Sequence, residues 1–171
     1  MNTFKQFISE QVELKFETKF EQIQKSQYII GYHLSRSADF VNEVLGNFKE
    51  KYGLHIGTKE QAIDIINDLR EEFYGQLYLY KLKVKINNLN PKLMKDEDFM
   101  FAGSLHPESL EYDITAYINE TEGMFQAGGP RLNQNQYDQF LQSQQNISLA
   151  VLNSSLISDV QLIKTFEEVK D

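Results

Sequence analysis

The chain has no cysteine and no tryptophan, and only three prolines in 171 residues. Without thiols there can be no disulfide, no thiolate nucleophile and no cysteine-ligated metal. Apolar runs are short, and none reaches the ~18 residues of a bilayer-spanning helix. The N-terminus lacks the basic-then-apolar layout of a secretory signal and the Arg content of a mitochondrial presequence. A secreted protein is therefore not expected, and the Asn-x-Ser/Thr triplets at Asn119, Asn146 and Asn153 read as accidental. Histidines are few and isolated, at His33, His55 and His106. No two are spaced for one helix face, so a zinc site built from His and carboxylates has no sequence support.

Core material is plentiful. Hydrophobic residues make up 41% of the chain, with 12 Phe and 9 Tyr. A chain of this length reads as one domain and buries about 70% of its unfolded surface. The composition argues against disorder. The formal charge is −8 and the pI about 4.9. That excess of acid favours solubility and argues against bare nucleic acid as a partner.

Apolar spacing predicts mostly helix. Residues 3–35 carry Phe4, Phe7, Ile8, Val12, Phe16, Phe20 and Ile23 at steps of three and four, one helical stripe. Inside it, Val12, Leu14 and Phe16 alternate with charges, a rival strand pattern. A second helix is expected from Ser35 or Ser37 to Gly53. Thr58-Lys-Glu-Gln61 reads as a capping box, with Thr58 as N-cap and Gln61 three residues on. A helix follows to Gly75. Residues 76–86 alternate Tyr78, Tyr80, Leu82, Val84 and Ile86 with Lys81, Lys83 and Lys85, which predicts a strand with a basic face. Phe99–Leu105 is its expected partner strand. Pro107 opens another helix, with Leu110, Ile114, Tyr117 and Ile118 as its stripe. Ala127–Pro130 is a loop. Residues 133–146 hold six Gln between 134 and 145 and read as a polar helix. The tail, from Ile147 through Ile163, reads as helical. The expected fold is α+β, mainly helical, a single domain over residues 11–166 with one small two-stranded β element in the middle. Residues 1–10 form a targeting or partner-binding segment, and 167–171 a frayed tail.

No catalytic constellation declares itself. Gly-x-Ser-x-Gly is absent, and Ser104 beside His106 is adjacency in sequence, not geometry. Carboxylate pairs such as Glu108 and Glu111 are expected of an acidic surface. Gly128-Gly129-Pro130 lacks the Lys-Ser/Thr of a phosphate loop. No cofactor, metal ligand or catalytic residue is assigned. The aromatic stripe Phe4, Phe7, Ile8, Phe16 and Phe20 is the candidate partner-binding face.

The segment Met-Asn-Thr-Phe-Lys-Gln-Phe-Ile-Ser-Glu resembles the leader of internal head proteins of T-even-type tailed phages. Such leaders route a protein to the prohead and are cut after a Leu/Ile-x-Glu tripeptide. Ile8, Ser9 and Glu10 fit that pattern, and a cut there leaves Gln11 first. Residues 128–167 are similar to mitochondrial ATP synthase coupling factor 6 in Gly128-Gly129-Pro130, Tyr137, Leu141 and Phe166-Glu167. That family has two helices joined by a Gly-Gly-Pro loop and belongs to the peripheral stalk. The expected function is a non-enzymatic, acidic structural subunit whose partners are other protein subunits of an assembly. The first setting is a virion, in the phage head or host cytoplasm. The alternatives are a protist mitochondrial stalk subunit and a small hydrolase without a recognisable motif.

Overall fold

The computed structural model describes residues 10–45, 52–69, 75–95, 100–101, 104–119 and 134–167. Strand outweighs helix, 41% against 27%. The expectation of a mainly helical chain is thereby corrected. The strands are β1 (Gln11–Glu13), β2 (Tyr28–Ser35), β3 (Leu54–Ile56), β4 (Leu77–Lys85), β5 (Met100–Phe101), β6 (Ser104–Leu105), β7 (Ile114–Ile118), β8 (Ile147–Val151) and β9 (Ile157–Phe166). The α-helices among the described residues are α1 (Phe20–Gln24), α2 (Lys59–Leu69) and α3 (Gln134–Ser143).

Two sheets carry the fold. One has the order β1-β2-β4-β9, the other β3-β8-β7, and β5 and β6 pair only with each other. β1 runs parallel to β2, and the other pairs are antiparallel. The sheets join at a corner where Tyr32 and Gly57 exchange backbone hydrogen bonds of 2.9 and 3.0 Å. Residues 88–94 then lie along the free edge of β7, with Asn90 N–H donating to the Ile114 carbonyl at 2.8 Å.

One hydrophobic cluster fills the space between the sheets. Ile29, Leu82 and Val84 contribute from the first, and Ile56, Ile114, Ala116, Ile147, Leu149 and Val151 from the second. Alternation places these residues on the inner faces. The outer face of the first sheet is covered at one end by α2, whose Ala62 packs with Ile30, Tyr32 and Leu79. β7 and β8 are buried at every position. Their sequences are apolar but for Thr115, Tyr117 and Ser148, so the polar alternation of a half-exposed strand is weak in them.

The corrections follow from that burial. Where described, from Glu10 on, the helical stripe of residues 3–35 becomes β1, the five-residue α1 and β2, and the Val12-Leu14 alternation marks the end of β1. The helix expected up to Gly53 is, where described, a single π-helical turn at Phe40–Leu45. Pro107 opens a 3₁₀ turn, Pro107–Glu111, and the supposed stripe at Ile114, Tyr117 and Ile118 is β7. The helical tail is β8 and β9. β4 was anticipated over 76–86, but it pairs with β2 and β9, not with the short hairpin around Phe101. The loop at Ala127–Pro130 lies outside the described residues.

Candidate functional site

A cleft of about 190 Å³ opens beside the corner that joins the sheets, and its lining includes His55, Gln61, Tyr117, Asn119 and Ser148. Each polar group reaches it by alternation. His55 lies between Leu54 and Ile56, Tyr117 between Ala116 and Ile118, and Ser148 between Ile147 and Leu149. In each case the neighbours point into the core and the middle residue points out.

His55 is fixed through both ring nitrogens. Nε2 lies 2.9 Å from the Tyr52 carbonyl, which only accepts, so Nε2 carries the proton. Nδ1 then accepts from the Tyr117 hydroxyl at 2.8 Å. The two rings meet edge to face with centroids 5.6 Å apart. Burial holds the His55 pKa below its ordinary value, so the ring is neutral at pH 7. His33 behaves alike. Its Nδ1–H donates to the His55 carbonyl at 2.8 Å, and burial lowers its pKa too. The His33 ring leans on Phe40 with centroids 5.4 Å apart.

The floor is a closed amide–hydroxyl network. Gln61 N–H donates to Thr58 Oγ1 at 3.1 Å, and Thr58 N–H donates to Gln61 Oε1 at 2.6 Å. This is the anticipated capping box. Gln61 Nε2 also donates to Asn146 Oδ1 at 2.7 Å. Ser148 Oγ donates to Gln61 Oε1 at 3.3 Å and accepts from Asn119 Nδ2 at 3.2 Å. Asn146 Nδ2 donates to the Asn119 carbonyl. Asn119 and Asn146 are buried, so neither triplet is open to glycosylation in the folded chain. The Ser148 proton goes to an amide oxygen and not to a base. A hydroxyl so held is a structural link and not an activated nucleophile.

Among the described residues, no three His, Cys, Asp or Glu side chains gather where a metal ion could sit. No helix of the described residues is long and apolar enough to cross a membrane.

A second feature is β9, the outermost strand of its sheet. It has ten residues, and Gln161–Thr165 are all exposed. Leu162 and Ile163 are 50% and 38% exposed. The strand makes two register shifts against β4, which leave Ser158 and Ile163 as extra, unpaired residues. Ser158 Oγ donates to the Lys83 carbonyl at 3.2 Å across one of them. A long edge with exposed aliphatic side chains is a ready template for another strand.

Of the residues expected from sequence, only Glu10, Phe16 and Phe20 are described, and Phe16 and Phe20 differ in burial. Phe4, Phe7, Ile8 and Ser9 lie outside the described residues. Glu10 is exposed, and its carbonyl accepts from Tyr28 N–H at 3.0 Å. Phe16 is 38% exposed, whereas Phe20 is buried in the main core beside Leu14. The lysines of β4 lie on a central strand, with Lys83 Nζ 4.4 Å from the Tyr28 ring centroid. In the cleft only the Thr58–Gln61 capping box is a local motif, and the β9 edge carries none. β9 falls in the tail expected to be helical, and the alternation in Val160-Gln161-Leu162 is the signal that could have found it. Comparison of this chain with protein-family models, with curated proteins and with solved structures gives no match.

Proposed function

We propose that this chain is a non-enzymatic structural or interaction subunit of a larger protein assembly. One observation carries the reading: among the described residues, β9 presents an unpaired, partly apolar edge. Edges of this kind recruit strands from other chains by backbone hydrogen bonding, while side chains set the specificity. The cleft supports the same reading. Its hydroxyl and amide groups satisfy one another, and its histidine is neutral and held at both nitrogens.

Within this class, the phage-head setting draws support from the leader resemblance and from the exposure of Glu10. The stalk alternative calls for a second helix after a Gly-Gly-Pro loop. α3 (Gln134–Ser143) follows those residues, but β8 and β9 take most of 147–166, so that alternative stands second.

The test is native fractionation of the cells that make the protein. The tagged chain should migrate far above twice its 20.0 kDa mass. A Leu162→Lys, Ile163→Lys double variant, equally folded by circular dichroism, should leave that fraction. Migration of the unaltered chain no larger than a dimer would refute the assembly reading.

A further inference from the structure

We propose that the cleft at the sheet corner binds a small neutral molecule that carries a primary carboxamide. No residue of β9 lines it, so the site stands or falls independently of the assembly reading. The starting point is a missing rung in the backbone ladder. Tyr32 and Gly57 exchange two backbone hydrogen bonds where β2 meets β3. Both backbone groups of Tyr32 therefore point toward β3, and those of Leu34, two residues on, point the same way. Continued antiparallel register would set Leu34 opposite His55 as the next hydrogen-bonded pair. That rung is not made, because the His55 carbonyl accepts from His33 Nδ1–H at 2.8 Å instead. Among the described residues, nothing bonds to the Leu34 N–H or to its carbonyl.

The ring that breaks the rung leaves a third open group. With its proton on Nδ1, the neutral His33 ring carries a lone pair on Nε2. Nothing among the described residues donates to it. His33 and Leu34 both line the cleft. Their open groups are one donor and two acceptors, whereas Gln61, Asn146 and Ser148 on the floor bond to one another. A primary carboxamide offers the complement, two N–H donors and one carbonyl acceptor. With both histidines neutral, none of the described lining residues carries a charge, and burying an unpaired ion is costly. The ligand is therefore neutral. The rest of the wall includes Ile56, Ala62 and Ile65. A cavity of about 150 Å³ takes benzene. One of about 190 Å³ has room for a six-membered ring that bears the carboxamide.

Benzamide is the probe, titrated into the full chain and followed by backbone NMR. In the free protein the Leu34 amide should exchange with solvent faster than that of Tyr32, which is bonded to Gly57. At saturation the Leu34 exchange should slow by about tenfold or more. N,N-Dimethylbenzamide keeps the ring and the carbonyl but has no N–H, and should bind at least about tenfold more weakly. Benzoate, being charged, should bind more weakly still. Ile65→Trp fills the apolar wall from α2 and should abolish binding in a chain still folded by circular dichroism. If that variant does not fold, the Leu34 exchange decides the matter alone. Benzamide binding weaker than about 10 mM, a dimethyl analogue that binds as well, or binding that leaves the Leu34 exchange unchanged would overturn the proposal. Propionamide has the shape of a glutamine side-chain end and should bind more weakly than benzamide. Equal binding would give the site to a partner's side chain and overturn the small-molecule assignment.

Discussion

His33 and His55 share one physical situation that controls how the fold responds to acid. Both rings are held neutral by burial, and they are linked through the His55 carbonyl. Their folded pKa values lie below the ordinary value near 6.5. The unfolded chain therefore takes up protons first as pH falls. Their stabilising contribution is complete above 6.5 and is lost as pH drops through the folded values. Each contributes a slope of at most about 1.4 kcal/mol per pH unit. Urea denaturation between pH 7 and 5 should show stability falling with acid. His33→Asn and His55→Gln should each flatten that fall while lowering stability at pH 7. A variant with an unchanged pH slope would mean that its histidine is not protected from protons. Tyr32 is perturbed as well. Burial, then its 2.5 Å hydrogen bond to Glu13, pushes its pKa up to about 12. At this scale the sequence was partly legible. The Thr58–Gln61 capping box could be read because its partners are three residues apart. The link from Gln61 to Ser148 spans 87 residues, and no local pattern encodes it.

At the scale of elements, the decisive contact is where β2 crosses β3. A Cβ built on Gly31 would lie 2.9 Å from Ile56 Cδ1 and 3.1 Å from its Cγ1. The absence of a side chain there lets the two sheets approach. Gly31→Ala should cost about 1–3 kcal/mol by overpacking, read by chemical denaturation. Ile56→Val removes the nearest atom, so the double variant should lose less than the sum of the single losses. Strict additivity would mean that the crowding is relieved elsewhere. The same strands show why helix was expected. Tyr28-Ile-Ile-Gly-Tyr-His-Leu-Ser and Ile147-Ser-Leu-Ala-Val are covered on both faces over most of their length. A strand buried on both sides has no polar alternation, and a short apolar run cannot be told from a helix by period alone. β4 was legible because Lys81, Lys83 and Lys85 alternate with its apolar Tyr80, Leu82 and Val84. α2 was legible because its cap and its stripe agree.

For the molecule as a whole, our proposal assigns the N-terminal segment to assembly and the described residues to folding. The first described residue, Glu10, contributes a backbone acceptor to Tyr28, and the buried side chains begin at Leu14. Removing residues 1–10 deletes that single acceptor from the described ladder and leaves Val12, Leu14 and Phe20 in place. One backbone hydrogen bond at a strand end is worth about 0.5–1.5 kcal/mol net. Phe20 belongs to the core, so the aromatic stripe read from sequence divides between folding and the surface. A chain beginning at Gln11 should therefore melt within a few degrees of the full chain. It should fail to enter the native particle when it is made without its leader. In mature particles, intact-mass analysis should find the chain starting at Gln11. Met1 retained in those particles would remove the leader reading. A large loss of thermal stability in the shortened chain would instead place residues 1–10 in the folding core, and targeting would need another signal.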